Sequence, residues 1–306
     1  MIIAIHGGAG VIERENISDE LEKQYRAGLE RALKEGHTVL KSKGSALDSV
    51  QAAVMALEDD PLFNAGKGSV FTSEGKCEMD AAIMEGATGR AGAVAGITGV
   101  KNPVALARLV MEKTGHVLLT GRGAEEFAKK NNVRFENEEY FFTELRKKQW
   151  EQVKNTSGTL LDHSGTGDKK FGTVGAVAID VNGNLAAATS TGGMTNKTCG
   201  RIGDTPLIGA GTFADKTVAV SCTGHGEFFI RQVVAHEVSA LMRYKSMSLQ
   251  QACDEVLFKQ LLPAGGEGGL IAIDKDGNYS LAFNTPGMYR GVMDANEKIT
   301  VSIFAD

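Results

Sequence analysis

The sequence predicts an α+β protein built as a four-layer αββα sandwich, with two stacked, mainly antiparallel sheets between layers of helices. Three observations point there. Apolar runs are joined by Asn-Gly and Asp-Gly turns, which close antiparallel hairpins and not βαβ crossovers. Several amphipathic segments of helical period need sheet faces to cover. The 38 glycines among 306 residues, roughly 12% against a background of ~7%, supply many tight turns.

The opening "MIIAIHGGAG" reads as a strand that breaks at Gly7-Gly8. Beyond it, Leu21, Tyr25, Leu29, Leu33 and Leu40 recur near helical spacing, with Ser18 as N-cap and acidic residues in the first turn. A second helix opens at Ser45, where Asp48 completes a capping box. Leu47, Val50, Val54 and Leu57 share one of its faces before Pro61. "GSVFTSEGKCEMDAAIMEG" predicts a hairpin about a Ser-Glu-Gly turn, "AGAVAGITGV" a strand, and Asn102-Pro103 the start of a helix.

From 139 to 170 the pattern degrades. "LRKKQWEQVK" predicts one more helix, with Arg146, Lys147 and Lys148 on a solvated face, and 155–170 reads as a flexible Gly/Ser/Thr/Asp linker. After Thr173, "TVGAVAID" and "NLAAATST" form a hairpin about Asn182-Gly183, and "TVAVSCT" adds a strand. Helices at "EFFIRQVVAHEVSALMRY" and "SLQQACDEVLFKQL" precede a last hairpin about Asp276-Gly277.

Composition excludes several function classes. With 38 acidic and 33 basic side chains the net charge is -5, so no global positive field recruits nucleic acid or an anionic membrane. Four widely spaced cysteines without a CxxC pair argue against a disulfide framework or a zinc knuckle and suit a reducing cytoplasm. There is no basic leader at the N-terminus and no run near the ~18 apolar residues of a membrane span.

Thr173 stands between a loose polar stretch and a buried strand in "DKKFGTVGAVAID". A threonine hydroxyl is a poor nucleophile until a base takes its proton. Scission before Thr173 would supply that base, a new α-amino group with pKa ~7.7–8.0 that is partly neutral at neutral pH. Taken alone, a threonine at a strand start is ordinary.

Several long motifs change this. "GTVGAVAIDVNGNLAAATSTGGMTNKTCGRIGDTPLIGAGTFA", "VAVSCTGHGE", "IHGGAG" and "LEDDPLFNAGKGSVFT" stand in order along nearly the whole chain. Together they resemble plant-type L-asparaginases that are also isoaspartyl aminopeptidases, a family of N-terminal-nucleophile (Ntn) hydrolases. The resemblance implies a single domain over 1–306, self-cleaved between Gly172 and Thr173 into a 1–172 α subunit and a 173–306 β subunit. It makes Thr173 the nucleophile and Thr191 the hydroxyl that orients it. Thr223 and Gly224 become the oxyanion hole, with Asn64 acting from the opposite side. Arg201 would grip the substrate α-carboxylate and Asp204 its α-ammonium, with His225 and Gly226 beside them. Gly8 and Gly10 would let backbone pass close behind the nucleophile.

By the same resemblance, main-chain carbonyls of Leu57, Glu58, Asp60, Phe63, Ala65 and Lys67 would surround a structural sodium ion, while catalysis needs no cofactor. Hydrolysis of L-asparagine and β-aspartyl dipeptides by a cytoplasmic dimer of αβ heterodimers is the implied activity.

Other readings keep some of these motifs. A threonine protease or a glycosylasparaginase would keep the nucleophile and alter the pocket. A non-catalytic nucleotide-binding module could rest on "GAGTFA", which fits a dinucleotide fingerprint literally, yet a strand follows it where a helix is required. His225 and His236-Glu237 suggest zinc but lack HExxH spacing.

Overall fold

The structure is a computed structural model that describes residues 1–154 and 172–305; the linker expected at 155–170 lies outside the described residues. β1 (Ile2–Gly10) leads to α1 (Asp19–Lys41), α2 (Ala46–Glu58), β2 (Met79–Glu85) and β3 (Ala91–Ile97). α3 (Pro103–Lys113), β4 (Leu118–Thr120), α4 (Gly121–Lys130), α5 (Glu138–Phe141) and α6 (Glu144–Val153) follow. Next come β5 (Val174–Ile179), β6 (Leu185–Thr191), β7 (Thr212–Ala214) and β8 (Val218–Gly224). After α7 (Gly226–Gln232), α8 (Val234–Lys245), α9 (Leu249–Asp254) and a π-helical stretch at Glu255–Leu261, the chain ends in β9 (Gly268–Asp274), β10 (Tyr279–Phe283), β11 (Gly287–Met293) and β12 (Ile299–Phe304).

Eight strands form one sheet in the order β12-β11-β1-β5-β6-β2-β3-β4, and β10-β9-β8-β7 form the other. Among the described pairs only β3 with β4 is parallel. Helices α1 to α4 cover the larger sheet, α7 to α9 cover the smaller, and β1, β5 and β6 face β7, β8 and β9 across the middle. This is the αββα stack that the hairpins predict. Period-two alternation sorts the side chains among three cores. In β5, Val174, Ala176 and Ala178 face the helices, whereas Val177 and Ile179 face the other sheet. In β8, Val218, Val220 and Cys222 point to the C-terminal helices and Ala219 to the inter-sheet layer.

Local chemistry explains several helix starts. The Ser18 hydroxyl accepts from Leu21 N–H, and Ser45 with Asp48 closes a full capping box. Four local expectations need correction. β1 does not break at Gly7-Gly8: it bulges between His6 and Gly8 and stays paired to Gly10, because Gly8 adopts φ 114°, which a side chain would resist. Only the second half of the Ser-Glu-Gly hairpin becomes a strand. Its first half turns on itself, Thr72 N–H to Lys76 O at 2.8 Å, and gives Phe71 O and Ser73 N–H to the 196–197 segment.

The helix expected over 227–244 divides at Val233, which is left-handed at φ 50°. There the first N–H groups of α8, from Ala235 and His236, bond to Ala210 O and Gly209 O. "GAGTFA" is thus a carbonyl cap for α8 that runs on into β7. Finally, Arg146 is not on a solvated face. It is buried because its guanidinium satisfies two loop carbonyls, donating to Gly68 O at 2.7 Å and Leu62 O at 3.1 Å.

Candidate active site

The polar centre sits between the two sheets. His6 on β1, Thr191 and Thr189 on β6, and Ser221 and Thr223 on β8 share the parity of the inter-sheet side chains, as does Thr173 one residue before β5. A layer of alanine and valine therefore ends in a row of hydroxyls, all of them buried.

Thr173 Oγ1 donates to Thr191 Oγ1 at 3.1 Å. Thr191 Oγ1 donates in turn to Gly172 O at 3.0 Å and accepts from Gly193 N–H at 2.9 Å. Asn64 Nδ2 donates to Gly172 O at 2.6 Å and to Gly193 O at 2.7 Å, and its Oδ1 accepts from Val70 N–H at 3.0 Å. Two donors thus converge on the carbonyl immediately before Thr173, the arrangement an oxyanion requires. A side chain at 172 would put its Cβ 2.4 Å from Asn64 Cβ.

Beside Thr173 lies a cavity of about 10 Å3, room for roughly one water. Gly172, Thr173, Thr191, Arg201, Asp204 and Gly224 are among the residues lining it. Arg201 does not pair with Asp204. Its fork grips Glu227, Nε to Oε1 at 2.9 Å and Nη2 to Oε2 at 2.8 Å, and His225 Nε2 lies 3.2 Å from Glu227 Oε2. Burial opposes the Glu227 charge, but hydrogen bonds from His225 and Arg201 and the guanidinium charge hold its carboxyl below the usual carboxylate range.

Asp204 is left with Oδ2 buried and unpartnered, as is the Thr205 hydroxyl. Burial pushes the Asp204 carboxyl up to about 7, against hydrogen bonding within its own backbone and the Arg201 charge. A pocket with an available buried carboxylate, a hydroxyl and a cation suits a small zwitterion. Gly226 packs against both side chains, since a Cβ there would come 2.9 Å from Asp204 Oδ1 and 3.1 Å from Arg201 Nη2. Thr223 stands one residue behind Gly224, its hydroxyl accepting from Ala9 N–H at 3.3 Å.

All three carboxylates of the 57–67 loop have partners outside it, Asp59 accepting from Lys101 Nζ at 2.9 Å. Asp60 is held by Arg31, and Glu58 accepts from Val104 N–H at 3.0 Å and Ser190 Oγ at 2.7 Å, with burial raising its carboxyl to about 8. The Lys67 ammonium rests over the Tyr140 ring, 5.2 Å from its centroid. The loop's main-chain carbonyls, and Glu58 Oε2, which is buried without a partner, are hard oxygen donors of the kind a hard cation takes. His236 instead meets Phe213 edge to face at 5.1 Å. No trio of His, Cys, Asp or Glu able to hold a metal occurs among the described residues.

Sequence reasoning missed His6, Ser221, Thr189, Thr205 and Glu227. For Ser221 and Thr189 the signal was available as strand parity: each falls on the same face as a predicted site residue of its own strand.

Two stacked sheets between helix layers, with a row of buried hydroxyls between the sheets, give the fold of the Ntn-hydrolase class. The chain belongs to the asparaginase family, whose model matches residues 1–303. It is 50% identical over 309 residues to the isoaspartyl peptidase of Escherichia coli strain K12, covering 100% of this chain and 96% of that one. Isoaspartyl peptidase/L-asparaginase of Xenopus laevis is 45% identical over 289 residues, 94% of this chain and 90% of the relative. The mouse protein of the same name is 43% identical over 289 residues, 94% and 86% of the two chains. Among the described residues no helix is long and apolar enough to cross a membrane.

Proposed function

We propose that the chain is a self-cleaving, threonine-dependent amidohydrolase that releases L-aspartate from L-asparagine and from β-aspartyl dipeptides. The observation that supports this most is the convergence of Asn64 Nδ2 and Thr191 Oγ1 on Gly172 O, with the Thr173 hydroxyl next in line. Thr173 Oγ attacks the Gly172 carbonyl carbon, the two donors stabilise the developing oxyanion, and the Gly172–Thr173 C–N bond breaks to leave an ester and a free α-amine. Water then hydrolyses the ester, giving chains 1–172 and 173–306.

In turnover, the same oxygen attacks the side-chain amide carbon and its proton passes to the Thr173 amine. The amine hands it to departing ammonia or amino acid, and water cleaves the aspartyl ester. Thr223 and Gly224 stabilise this second oxyanion. Arg201 meets the α-carboxylate by its free edge and Asp204 the α-ammonium, with His225 and Gly226 fixing both.

A sodium ion held by the carbonyls of Leu57, Glu58, Asp60, Phe63, Ala65 and Lys67 would supply fixed positive charge that holds the loop carrying Asn64. The working unit is a dimer of αβ heterodimers in the cytoplasm.

Mass spectrometry of the purified chain, with ammonia and aspartate assays on asparagine and a β-aspartyl dipeptide, tests this. The expected result is two fragments ending at Gly172 and starting at Thr173, with hydrolysis appearing as they form. An intact polypeptide that hydrolyses both substrates at full rate would falsify it.

A further inference from the structure

Behind Thr173 the inter-sheet layer holds a continuous buried polar chain. His6 Nδ1 lies 3.0 Å from Thr173 O, and His6 Nε2 lies 2.9 Å from Ser221 Oγ. Ser221 Oγ is 2.7 Å from Thr189 Oγ1, which is 2.7 Å from Thr212 Oγ1, which reaches Thr205 O at 3.0 Å. Gly211 N–H meanwhile ties to Asp204 O at 3.1 Å. The far end of the chain therefore abuts the backbone of the segment that carries Asp204 and Thr205. Space confirms how closely the parts meet: a Cβ on Gly175 would lie 2.0 Å from Ser221 Oγ and 2.4 Å from His6 Nε2.

The direction of the chain follows from one group. A carbonyl only accepts, so Nδ1 must carry the proton it gives to Thr173 O. Burial also holds the imidazole neutral, its pKa pulled down to about 3 although the Thr173 backbone bond opposes this. Nε2 is then an acceptor, Ser221 must donate to it, Thr189 to Ser221, and Thr212 to Thr189, which spends the single Thr212 proton, so the run ends at Thr212 and its tie to the next segment is the Gly211 N–H bond to Asp204 O.

We propose that His6 is a positioning residue for Thr173: its Nδ1–H tautomer fixes the main chain of the nucleophile and links it, through a one-way run of hydroxyls that ends at Thr212, to the Gly211–Thr212 backbone that holds Asp204 O in the segment that receives substrate. His6 touches neither the Thr173 hydroxyl nor the cavity, so it acts through Thr173. The inference rests on the threonine mechanism above, but its geometry can be tested apart from it.

Histidine-selective nitrogen-15 NMR on the full chain reads the tautomer directly. One buried imidazole protonated on Nδ1, with no titration between about pH 5 and 8, is expected; an Nε2–H tautomer, or titration in that range, overturns the proposal. Side-chain reach then separates positioning from packing. His6→Asn keeps an amide donor near the Nδ1 place, whereas His6→Gln reaches the Nε2 place and loses Thr173 O. We expect His6→Gln to lower kcat by at least about tenfold with KM within about twofold, and His6→Asn to recover most of the loss. Equal losses in the two variants, or parental kcat in His6→Gln, overturn it. Ser221→Ala, which leaves His6 in place, is expected to free Nε2 and broaden or shift the tautomer signal; an unchanged signal also counts against the chain. A parent inactive on both substrates sinks the functional reading, and the NMR result then decides the geometry alone.

Discussion

Thr191 both receives the Thr173 hydroxyl proton, at 3.1 Å, and donates its own to the Gly172 carbonyl, at 3.0 Å. On the proposed mechanism, one side chain thus touches the oxygen that attacks and the oxygen of the carbon it attacks. Thr191→Ala is expected to slow the formation of the two fragments and the hydrolysis of asparagine by ~10²–10³-fold. Thr173→Ala should remain one chain without activity. Timed mass spectrometry and an ammonia assay check both, and an alanine variant at 173 that still yields two chains would remove that residue from the reaction.

Asn64 makes three hydrogen bonds with its single amide. Asn64→Ala is expected to delay scission by about 10²-fold and, by leaving buried backbone groups unpaired, to destabilise the fold by ~1–3 kcal/mol. Denaturant unfolding and fragment formation report the two effects separately, and loss of stability without loss of cleavage rate would confine Asn64 to a structural part.

The Arg201–Glu227 fork argues that Arg201 is pre-aimed and not mobile. Arg201→Ala should raise KM by about 10–100-fold, while Glu227→Gln, which leaves the guanidinium in place but loosens it, should raise KM by roughly 3–10-fold with kcat nearly retained. Steady-state kinetics decides this; equal kcat losses in both variants would point instead to a direct part in bond breaking.

Asp204 gives a pH signature. Its carboxyl is raised to about 7 by burial in the free protein, and only the ionised form attracts an ammonium. Protonation therefore sets in as pH falls through about 7, and kcat/KM should decline there more steeply than kcat. In Asp204→Asn the difference between the two profiles should vanish, at a lower overall kcat/KM.

His6 makes the opposite contribution to stability. Its folded pKa, about 3, lies below the unfolded 6.5, so the unfolded chain binds the extra proton in acid. Stability from this group is complete above 6.5 and is lost as pH falls toward about 3, at about 1.4 kcal/mol per pH unit. Unfolding curves should show that slope flatten in His6→Asn.

The layered architecture was readable because hairpin turns and helix caps are local: Asn182-Gly183, Ser18 and the Ser45–Asp48 box behave as their residue types dictate. What was not readable depends on distant partners. Arg146 looks solvated in a basic run, and only the carbonyls of Leu62 and Gly68, far away in sequence, draw it inside. The division at Val233 requires the carbonyls of Gly209 and Ala210. In the site, motif resemblance named the threonines, but not that Arg201 would face Glu227 and leave Asp204 Oδ2 without a partner.

The water-sized space beside Thr173 carries a last implication. On the reading proposed above, the seat for an incoming substrate is narrowed by Gly172, which still lines it. By the same reading, the newborn polypeptide is inert toward outside substrate because it is its own first client. Departure of that glycine tail both frees the amine and widens the seat, so latency ends in a single molecular event without any separate inhibitor.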